Sequence, residues 1–402
     1  MSAKRPLDVF IVAVDVSGDH LAANLMAALR RQHGKVSFRG VGGPAMAAEG
    51  LSSLFLADDL PTIGFVAVIA ELPTFLRRLR QTVDAIASSP PDVLVLVDSP
   101  DFTHRLAARV RRKLSRLPIV KYVAPTVWAW RPGRARAMRP AFDHVLALYP
   151  FEPRVMAELG GPPTTYVGHP LLERLNELRP SPAEAAAREQ GPPLVLVLPG
   201  SRRYEVLRLA RVFGEAAARI AAARPDAEFV VATLPKLTAD VEPMLAAFPK
   251  RPRVVTTTAD KFAAFRRARA ALAASGTVTL ELALAGVPVV AGYRVPLVEE
   301  LIARLLVHIR MATLPNLLLG ECVLPELLQQ DCTARNLAAA LLPLLDSGTA
   351  RVRQTDAFRR LDRVLETRGE PPSARAARFL LEIADVAGYR RTNAMIPGTL
   401  GH

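Results

Sequence analysis

Two glycine-containing segments in the C-terminal half combine residue types that bind phosphate groups. The first is the Pro-Gly-Ser-Arg-Arg segment at 199–203, which follows the apolar run 194–198 and precedes a helical pattern. A strand that turns into a helix points unsatisfied backbone N–H groups at an anion. Gly200 allows close backbone approach, Ser201 is expected to cap the helix, and Arg202 is expected to add a charge-assisted contact. We therefore predict a diphosphate-binding loop here.

The second segment, Ala-Ser-Gly-Thr-Val-Thr-Leu-Glu at 274–281, also follows a short apolar run. It places Ser275, Gly276 and Thr277 at the start of a predicted helix, where backbone N–H groups and the helix dipole favour a phosphate. Glu281 lies about one and a half turns into that helix. We expect its carboxylate to accept hydrogen bonds from the hydroxyls of a ribose. Two such loops in one half of the chain predict a site for a nucleoside diphosphate.

The elements that must hold these segments alternate between short apolar runs and longer helical stretches, which predicts parallel sheets built from βαβ units. Strands are expected near 8–14, 37–41, 92–98, 119–124 and 143–149, and in a second series near 194–198, 228–233, 252–257, 270–273 and 287–292. Helices are expected near 18–32, 72–87, 101–116, 133–141 and 151–160, then near 204–223, 239–247, 260–268 and 277–285, with amphipathic segments at 334–346 and 371–387. The predicted fold class is α/β, with two Rossmann-like domains and a cleft between them that holds the ligands at the carboxyl ends of the strands.

The restart of this pattern divides the chain. At 402 residues it exceeds the ~250–300 residues at which a single core stops growing. We predict a first domain over 1–172, a second over 173–360, and a C-terminal helical segment over 361–402 that crosses back to the first domain. The Pro-, Ala- and Glu-rich stretch 179–193 is interpreted as the connection between the domains.

Composition narrows the class of protein. The longest apolar runs have the length of strands, so no membrane span is expected, and Asp8 interrupts any signal-peptide region, which favours the cytoplasm. The two cysteines, Cys322 and Cys332, and the seven histidines form no metal-ligand or redox pattern. We therefore expect neither a bound metal nor a cofactor.

Charge is concentrated in one stretch of the chain. The formal net charge is +14, and residues 103–140 contain eleven Lys and Arg but no Asp or Glu. Nucleic acid, anionic lipid and a phosphorylated substrate all fit such a stretch, as does a solvated basic surface. Nucleic acid is not expected, because no RNA-binding module accompanies Trp128 and Trp130.

A series of short motifs over almost the whole chain resembles the lipid-A-disaccharide synthases. The motifs are Val-Ser-Gly-Asp at 16–19, Gly-Val-Gly-Gly-Pro at 40–44, Asp-Ser-Pro-Asp-Phe at 98–102, Tyr-Val-Ala-Pro-Thr-Val-Trp-Ala-Trp-Arg at 122–131, Phe-Glu-Pro at 151–153, Gly-His-Pro-Leu at 168–171, the two loops above, Tyr-Arg-Val at 293–295, Leu-Pro-Asn-Leu-Leu at 314–318 and Pro-Glu-Leu-Leu-Gln at 325–329. This many motifs in one order are more specific than any of them alone.

The resemblance implies a GT-B glycosyltransferase of lipid A and lipopolysaccharide biosynthesis. Such an enzyme joins UDP-2,3-diacylglucosamine to 2,3-diacylglucosamine 1-phosphate, with inversion and without a metal, and releases UDP. The residues carried over by their motifs are Asp98, Arg202, Glu281 and Asn316, the last three on the donor side. The alternatives are a GT-B UDP-sugar transferase with a different acceptor, and a catalytically weakened homologue that binds lipid intermediates.

Inverting transfer needs a general base for the 6-hydroxyl of the acceptor. Asp98, at the end of a predicted strand, is the expected base; Asp19 and His20 are rivals, and Asp101 fits better as an acid in the first turn of a helix. The acceptor side is expected to include Ser17, Gly18, Asp15 and Asp101.

Two segments in the first half of the chain depart from the family pattern. Val14-Asp15-Val16 stands where the family has Gly-Glu-Ala, and Ala67 stands where the family has a glutamate. A glycine that allows close backbone approach is thereby lost, and a carboxylate is shortened. This predicts retained use of a UDP-sugar with an altered acceptor selectivity or rate.

An apolar run at 63–69 precedes a cationic segment, which suggests contact with an anionic leaflet. The contact residues are expected to be Phe65, Val66, Val68, Arg77 and Arg78. The expected partners are therefore the two acylated substrates and the inner face of the inner membrane, with the protein peripheral. An ordinary buried helix with a basic edge is the alternative, and a homodimer stays open.

Overall fold

Two parallel sheets, one in each of two units of the chain, organise the structure. The computed structural model describes residues 5–55, 67–295 and 311–394. The first unit comprises Met1–Pro170 and Thr367–His402, and the second comprises Leu171–Glu366.

The first sheet consists of parallel strands whose central members are buried on both faces. Its described strands are β1 (Leu7–Val12), β2 (Val36–Val41), β3 (Ser52–Ser53), β4 (Val93–Val97), β5 (Ile119–Tyr122), β6 (His144–Ala147) and β7 (Thr164–Tyr166). Their order is β3-β2-β1-β4-β5-β6-β7. Every residue of β4 is buried, as expected for a parallel sheet covered by helices. The carboxyl ends of β1, β4 and β5 therefore meet at one edge.

Helices of the first unit cover this sheet. They are α1 (Val16–His33), α2 (Pro44–Ala48), α3 (Ala67–Ser88), α4 (Pro100–Lys113), α5 (Gly133–Met138), α6 (Glu152–Glu158) and a C-terminal helix, Pro372–Ala394. The C-terminal helix packs on α1, because Ala376, Ala377 and Leu380 share one buried core with Leu25 and Leu29. The end of the chain therefore contributes to the core of the first unit.

The second unit repeats the architecture. Its described strands are β8 (Leu194–Leu198), β9 (Glu228–Ala232), β10 (Arg253–Val255), β11 (Ala270–Ala274), β12 (Val289–Tyr293) and β13 (Glu326–Leu328), in the order β10-β9-β8-β11-β12-β13. Its described α-helices are α7 (Leu175–Leu178), α8 (Pro182–Gln190), α9 (Arg203–Ala223), α10 (Thr238–Leu245), α11 (Thr258–Arg267), α12 (Thr277–Leu284), α13 (Leu314–Leu319), α14 (Ala334–Leu341) and α15 (Thr349–Val364). Short 3₁₀ turns occupy Pro170–Arg174, Pro235–Leu237, Gln329–Asp331 and Leu342–Leu344.

The stretch 179–193, interpreted from its composition as a connection, instead contains the helix α8. The interpretation was wrong because Ser181 and Glu184 form a capping box that starts a helix. The Ser181 N–H donates to Glu184 Oε2 over 2.8 Å, and the Glu184 N–H donates to Ser181 Oγ over 3.3 Å. The Ala- and Glu-rich residues that follow favour the helical state.

Some elements escaped sequence reasoning for physical reasons. Strands β3, β7 and β13 have two or three residues, too few for an alternating pattern. Helix α15 was missed because Arg351 and Gln354 occupy buried positions on the face that also carries Phe358 and Leu361. The apolar stripe of α15 is therefore shorter than its buried face.

Arg188 of α8 joins the C-terminal ends of two other helices. Its guanidinium donates to the carbonyls of Phe265 (2.9 Å), Arg266 (3.1 Å) and Gly286 (3.2 Å). Replacing Arg188 by Met leaves buried carbonyls unsatisfied, so we expect a loss of about 3 kcal/mol in the free energy of unfolding. Urea denaturation measures this loss.

Arg211→Met is the matched control. Arg211 is 90% exposed and makes only an i,i+4 ion pair with Glu215, so its replacement should change the free energy of unfolding by less than ~0.5 kcal/mol. Equal effects of the two substitutions would refute the structural role given to Arg188.

Candidate active site

Asp98 follows β4 at the carboxyl edge of the first sheet, where the backbone is strained. Asp98 and Ser99 have φ angles of 42° and 40°, in the left-handed region. Such a conformation costs on the order of 1–3 kcal/mol for each residue other than glycine and is concentrated at functional sites. The Asp98 side chain is half-buried, and burial raises the pKa of its carboxyl while the nearby Lys121 lowers it. The turn thus presents a carboxylate with raised basicity.

Lys121 lies beneath this turn and was not singled out from the sequence. It belongs to β5 and is 1% exposed, and its Nζ donates to the Asp98 carbonyl and, over 2.9 Å, to Thr103 Oγ1. Burial lowers the pKa of Lys121 to about 7, while Asp98 and Asp15 act in the opposite direction. A lysine inside an apolar strand was the available signal, but it had been counted with the basic stretch 103–140.

Asp15 joins the start of α1 to the Asp98 turn. Its Oδ1 accepts a hydrogen bond from the Gly18 N–H over 2.7 Å, and its Oδ2 accepts one from Ser99 Oγ. Asp15 is thus the N-cap of α1, and Ser17 is exposed on the first turn. The predicted acceptor-side residues Asp15, Ser17 and Gly18 therefore lie within one local structure, and Ser99 connects it to Asp98.

Asp19, predicted as a rival base, has a structural environment. Its carboxylate is 4% exposed and accepts hydrogen bonds from the N–H groups of Gly43 (2.8 Å), Ala45 (2.8 Å) and Met46 (3.0 Å). It therefore caps α2. A Cβ atom on Gly43 would lie 2.7 Å from Asp19 Oδ2, which explains the glycine there. These bonds give Asp19 a structural role and less support as the base than Asp98 has.

The other two site residues predicted in this part of the chain, His20 and Asp101, lie on the surface of their helices. His20 is exposed on α1. Asp101 is in the first turn of α4 with its side chain 67% exposed, and Arg134 approaches it to 3.4 Å. Both stay predictions, with less support from their surroundings than Asp98.

A row of aromatic rings in the first unit is formed by the segments that follow β5, β6 and β7. Trp128 packs edge-on against Phe151, Phe151 stacks on Tyr149, and Tyr149 stacks on His169. The buried Glu152 accepts hydrogen bonds from the Leu148 and Tyr149 N–H groups and from Trp128 Nε1. Burial raises the pKa of Glu152 to about 7 despite these bonds. The Phe-Glu-Pro motif thus fixes the tryptophan-containing loop.

His169 makes the stability of the fold sensitive to acid. Burial lowers its pKa from 6.5 to about 4, so between these values the unfolded chain binds more protons and stability falls as the pH falls. Above pH 6.5, His169 does not lower the free energy of unfolding. Between pH 6.5 and pH 4, protonation of this histidine in the unfolded chain should lower that free energy by about 3 kcal/mol. His169→Phe keeps a ring against Tyr149 without the titration.

We therefore expect the free energy of unfolding of His169→Phe to depend less steeply on pH over this window than that of the wild type, measured by urea denaturation at several pH values. Glu152 acts in the opposite direction between pH 4.5 and 7, and it is common to both proteins. Identical pH dependences would contradict the role of His169.

In the second unit, the predicted diphosphate loop differs in detail from its sequence interpretation. The helix α9 begins after Arg202, so the expectation that Ser201 caps it was wrong. The buried Glu205 accepts hydrogen bonds from the N–H groups of Ser201 (3.1 Å) and Arg202 (3.2 Å). Those N–H groups are therefore occupied here, because a carboxylate of the same chain satisfies them. Gly200 has a φ of 129°, and a Cβ there would lie 2.7 Å from Glu205 Cβ.

The Arg202 side chain remains available at the edge of the sheet. It is 63% exposed, and its Nη1 donates to the Tyr204 hydroxyl over 3.1 Å and to Glu205 Oε1 over 3.4 Å. Burial and the neighbouring Tyr204 raise the pKa of Tyr293, at the end of β12, to about 12. Arg202 is therefore an exposed cation in a polar cluster that connects the end of β8 to the end of β12.

The second predicted loop keeps an open helix N-terminus. Gly276 is the N-cap of α12, with Gly276 and Thr277 exposed and no side chain capping the helix. The Ser275 N–H donates to the Gly292 carbonyl over 3.2 Å, and Ser275 Oγ donates to the Ala312 carbonyl over 2.9 Å. This helix start can therefore take an anion, whereas the Ser275 hydroxyl is occupied by a structural bond.

Glu281, the predicted ribose-binding carboxylate, already has a charged neighbour. Lys261 Nζ of α11 lies 2.7 Å from Glu281 Oε2, and the Glu281 side chain is 16% exposed. Lys261 was not identified from the sequence, because residues twenty positions apart on different helices carry no shared pattern. The ion pair holds the carboxylate in place at the helix that starts with the anion-binding turn.

Asn316, predicted to contact the donor, is fully buried. Its Nδ2 donates to the Leu324 carbonyl (3.0 Å) and to Glu326 Oε1 (2.8 Å), and its Oδ1 accepts from the N–H groups of Val323 and Leu324. Glu326 also accepts from the Thr313 N–H and hydroxyl. Asn316 is thus bonded within the segment 313–326, and its contact with the donor stays a prediction.

Comparison with known proteins decides the family. The family model described as lipid-A-disaccharide synthetase matches residues 9–377. The lipid-A-disaccharide synthase of Nitrobacter winogradskyi is 52% identical over 382 residues, which cover 95% of this chain and 96% of that protein. The enzyme of the same name from Nitrobacter hamburgensis is 51% identical over 375 residues, covering 93% and 95%.

The chain belongs to the lipid-A-disaccharide synthase family. It is thus a member of a family of glycosyltransferases, as the motifs implied.

Solved structures place this family member in the GT-B fold. A putative UDP-N-acetylglucosamine 2-epimerase from Listeria monocytogenes superposes with a TM-score of 0.63 at 15% identity, covering 96% of this chain and 98% of that one. The glycosyltransferase of kitacinnamycin superposes with a TM-score of 0.60 at 17% identity, covering 95% and 100%. The predicted α/β fold class of GT-B type is confirmed.

Two observations on the described residues bear on contact with a membrane. Within the described ranges, no helix is long and apolar enough to cross a membrane. Of the expected membrane-contact residues, Phe65, Val66 and the Val68 side chain lie outside the described residues. Arg77 is exposed on α3, and the Arg78 guanidinium lies 4.8 Å from the centre of the Phe55 ring.

Proposed function

We propose that this protein condenses UDP-2,3-diacylglucosamine with 2,3-diacylglucosamine 1-phosphate to give the β-1,6-linked disaccharide 1-phosphate and UDP. The observation that carries this proposal is 52% identity to a lipid-A-disaccharide synthase over nearly the full length of both chains. The alternative of a different acceptor has no comparable support.

The first unit supplies the general base. Asp98 accepts the proton of the acceptor 6-hydroxyl as that oxygen forms a bond to C1 of the donor sugar. The bond between C1 and the diphosphate oxygen breaks on the opposite side, and its electron pair leaves with UDP, so the configuration at C1 inverts. The raised pKa of the half-buried Asp98 suits it to this task at neutral pH.

The second unit holds the nucleotide. The open start of α12 at Gly276 and Thr277 attracts the diphosphate, and Arg202 adds a charge that can neutralise the departing oxygen. Glu281, held by Lys261, accepts hydrogen bonds from the ribose hydroxyls. Because a guanidinium and a helix dipole supply the positive charge, the proposal requires neither a metal nor another cofactor.

The donor specificity tests the proposal. Release of UDP should be fast with UDP-2,3-diacylglucosamine and at least about 100-fold slower with UDP-N-acetylglucosamine, when both are offered with the acylated acceptor. Equal or preferred use of the unacylated donor would favour a GT-B transferase of a different specificity.

We also propose that the protein works at the inner face of the inner membrane, where its acylated substrates reside. Arg77 is exposed on α3, and the stretch 103–140 adds cations to the same unit. Each Lys or Arg near an anionic surface contributes about 1 kcal/mol to binding. Exchanging both Arg77 and Arg78 for Gln removes about 2 kcal/mol and should therefore weaken binding to phosphatidylglycerol vesicles by about 30-fold.

Flotation with these vesicles measures the binding, and phosphatidylcholine vesicles are the control because they carry no net charge. If the double substitution leaves binding unchanged, or if binding is equal on both kinds of vesicle, the proposed electrostatic contact is wrong.

A further inference from the structure

Lys121 occupies a position where a charged side chain needs a specific reason. It is 1% exposed within β5, beside β4, whose five residues are all apolar and buried. Removing an ammonium group from water is unfavourable unless polar groups replace the solvent. The groups that do so are the Asp98 carbonyl and Thr103 Oγ1.

The carbonyl belongs to the strained turn that carries Asp98, the proposed base, and Thr103 lies in α4, the helix that follows this turn. Thr103 Oγ1 lies 2.8 Å from the Asp98 carbonyl oxygen and 3.0 Å from that of Ser99. Lysine and threonine thus converge on the peptide between two residues with positive φ. These hydrogen bonds oppose relaxation of the turn to an ordinary backbone conformation, so their removal would destabilise the strained φ angles.

The charges around the turn also form a set. The carboxylates of Asp98 and Asp15 face Lys121 from β4 and from the start of α1. His104, from α4, is the other titratable group close to it, and burial, Lys121 and Arg134 lower the pKa of His104 to about 3. His104 is therefore neutral above about pH 3, so between pH 3 and pH 7 the Lys121 ammonium is the charge that compensates the two carboxylates.

We infer that Lys121 is a positioning residue for the acceptor-side base: through the Asp98 carbonyl and Thr103 it fixes the turn, and its ammonium keeps Asp98 ionised. Lys121 does not contact the substrate in this inference, which rests on the proposed role of Asp98. Its two effects are separable, because Thr103 shares the geometric effect but carries no charge.

Lys121→Met and Thr103→Val test the two effects. For Lys121→Met we expect kcat to fall by about 100-fold with KM for the UDP-sugar unchanged, since misplacement of a catalytic group by about 1 Å has this effect. The acid limb of its kcat/KM profile should also move up by about one pH unit, because a neighbouring cation is lost. Thr103→Val should lower kcat by a smaller factor and leave the acid limb in place.

The shift in the acid limb is expected because Lys121 itself is protonated in that range, its pKa being about 7. Lys35→Met, at an exposed position between α1 and β2 in the same unit, is the matched control and should match the wild type. Far-UV circular dichroism and urea denaturation show whether the variants are folded, and UDP binding shows that the second unit is unaffected.

Three outcomes are decisive. A Lys121→Met enzyme whose kcat and acid limb both equal those of the wild type would overturn the inference. If that variant fails to fold, Thr103→Val decides, and an unchanged kcat there would overturn it. If Asp98→Asn retains full activity, the proposed function of Asp98 fails first, which is a distinguishable result.

Discussion

Replacing Asp98 by Asn is expected to lower kcat by about 10³-fold, within the range that general-base catalysis contributes. Asparagine keeps the shape of the side chain at the strained turn after β4, but it cannot accept the proton of the acceptor hydroxyl. KM for the UDP-sugar should stay within about twofold, because the loss concerns the chemical step alone. Initial rates of UDP release at saturating acceptor measure both parameters.

Asp84→Asn is the matched control, because the same change is made on a side chain of the same unit that is 69% exposed and lies in no proposed site. It should leave kcat close to that of the wild type. If Asp101→Asn or His20→Ala lowers kcat as far as Asp98→Asn does, the assignment of the base is wrong. Asp19→Asn should act differently, through reduced stability, because Asp19 caps α2.

The second large effect is expected at Arg202. Its replacement by Met removes the exposed guanidinium at the end of β8, while the structural bonds of Glu205 to the Ser201 and Arg202 N–H groups can persist. We expect kcat/KM to fall by about 10²-fold and the Kd for UDP to rise, because a charge-assisted contact to the diphosphate is lost. Steady-state kinetics and calorimetric titration with UDP measure these changes.

Arg203→Met provides the control on the adjacent residue. Arg203 is 73% exposed and is paired with Asp240, so its loss should leave the Kd for UDP nearly unchanged. If Arg203→Met weakens UDP binding and Arg202→Met does not, the direction of the loop has been misassigned.

The sequence allowed the architecture to be predicted because buried parallel strands leave a strong local signal. The runs 194–198 and 93–97 are apolar throughout, and both are fully buried strands. Their helices follow at the expected spacing. Elements whose signal is weak were missed: β13 has three residues, and α15 buries polar side chains.

The candidate site could be predicted less completely, because its geometry depends on contacts between distant residues. Sequence reasoning placed Arg202 in a loop after a strand and Glu281 in the helix after the second loop, but it did not identify Lys261, which holds Glu281. It predicted that Asn316 contacts the donor, but it did not predict that this buried amide is hydrogen-bonded within its own segment. It also treated Lys121 as one of many basic residues.

The departures from the family pattern acquire a structural meaning from these contacts. Asp15 stands where the family has a glutamate, and here it caps α1 and accepts a hydrogen bond from Ser99. A shorter carboxylate is therefore still connected to the Asp98 turn. Ala67 begins α3, adjacent to residues that the structure does not describe.

The most direct test of the central claim is the reaction itself. The purified protein should be incubated with UDP-2,3-diacylglucosamine and 2,3-diacylglucosamine 1-phosphate in buffer containing EDTA, with products analysed by mass spectrometry and proton NMR. The proposed reaction should give a tetra-acylated disaccharide 1-phosphate with a β-1,6 linkage and an equal amount of UDP. Its rate should be the same with and without the chelator. No disaccharide at saturating concentrations of both substrates, or an α linkage, would contradict it.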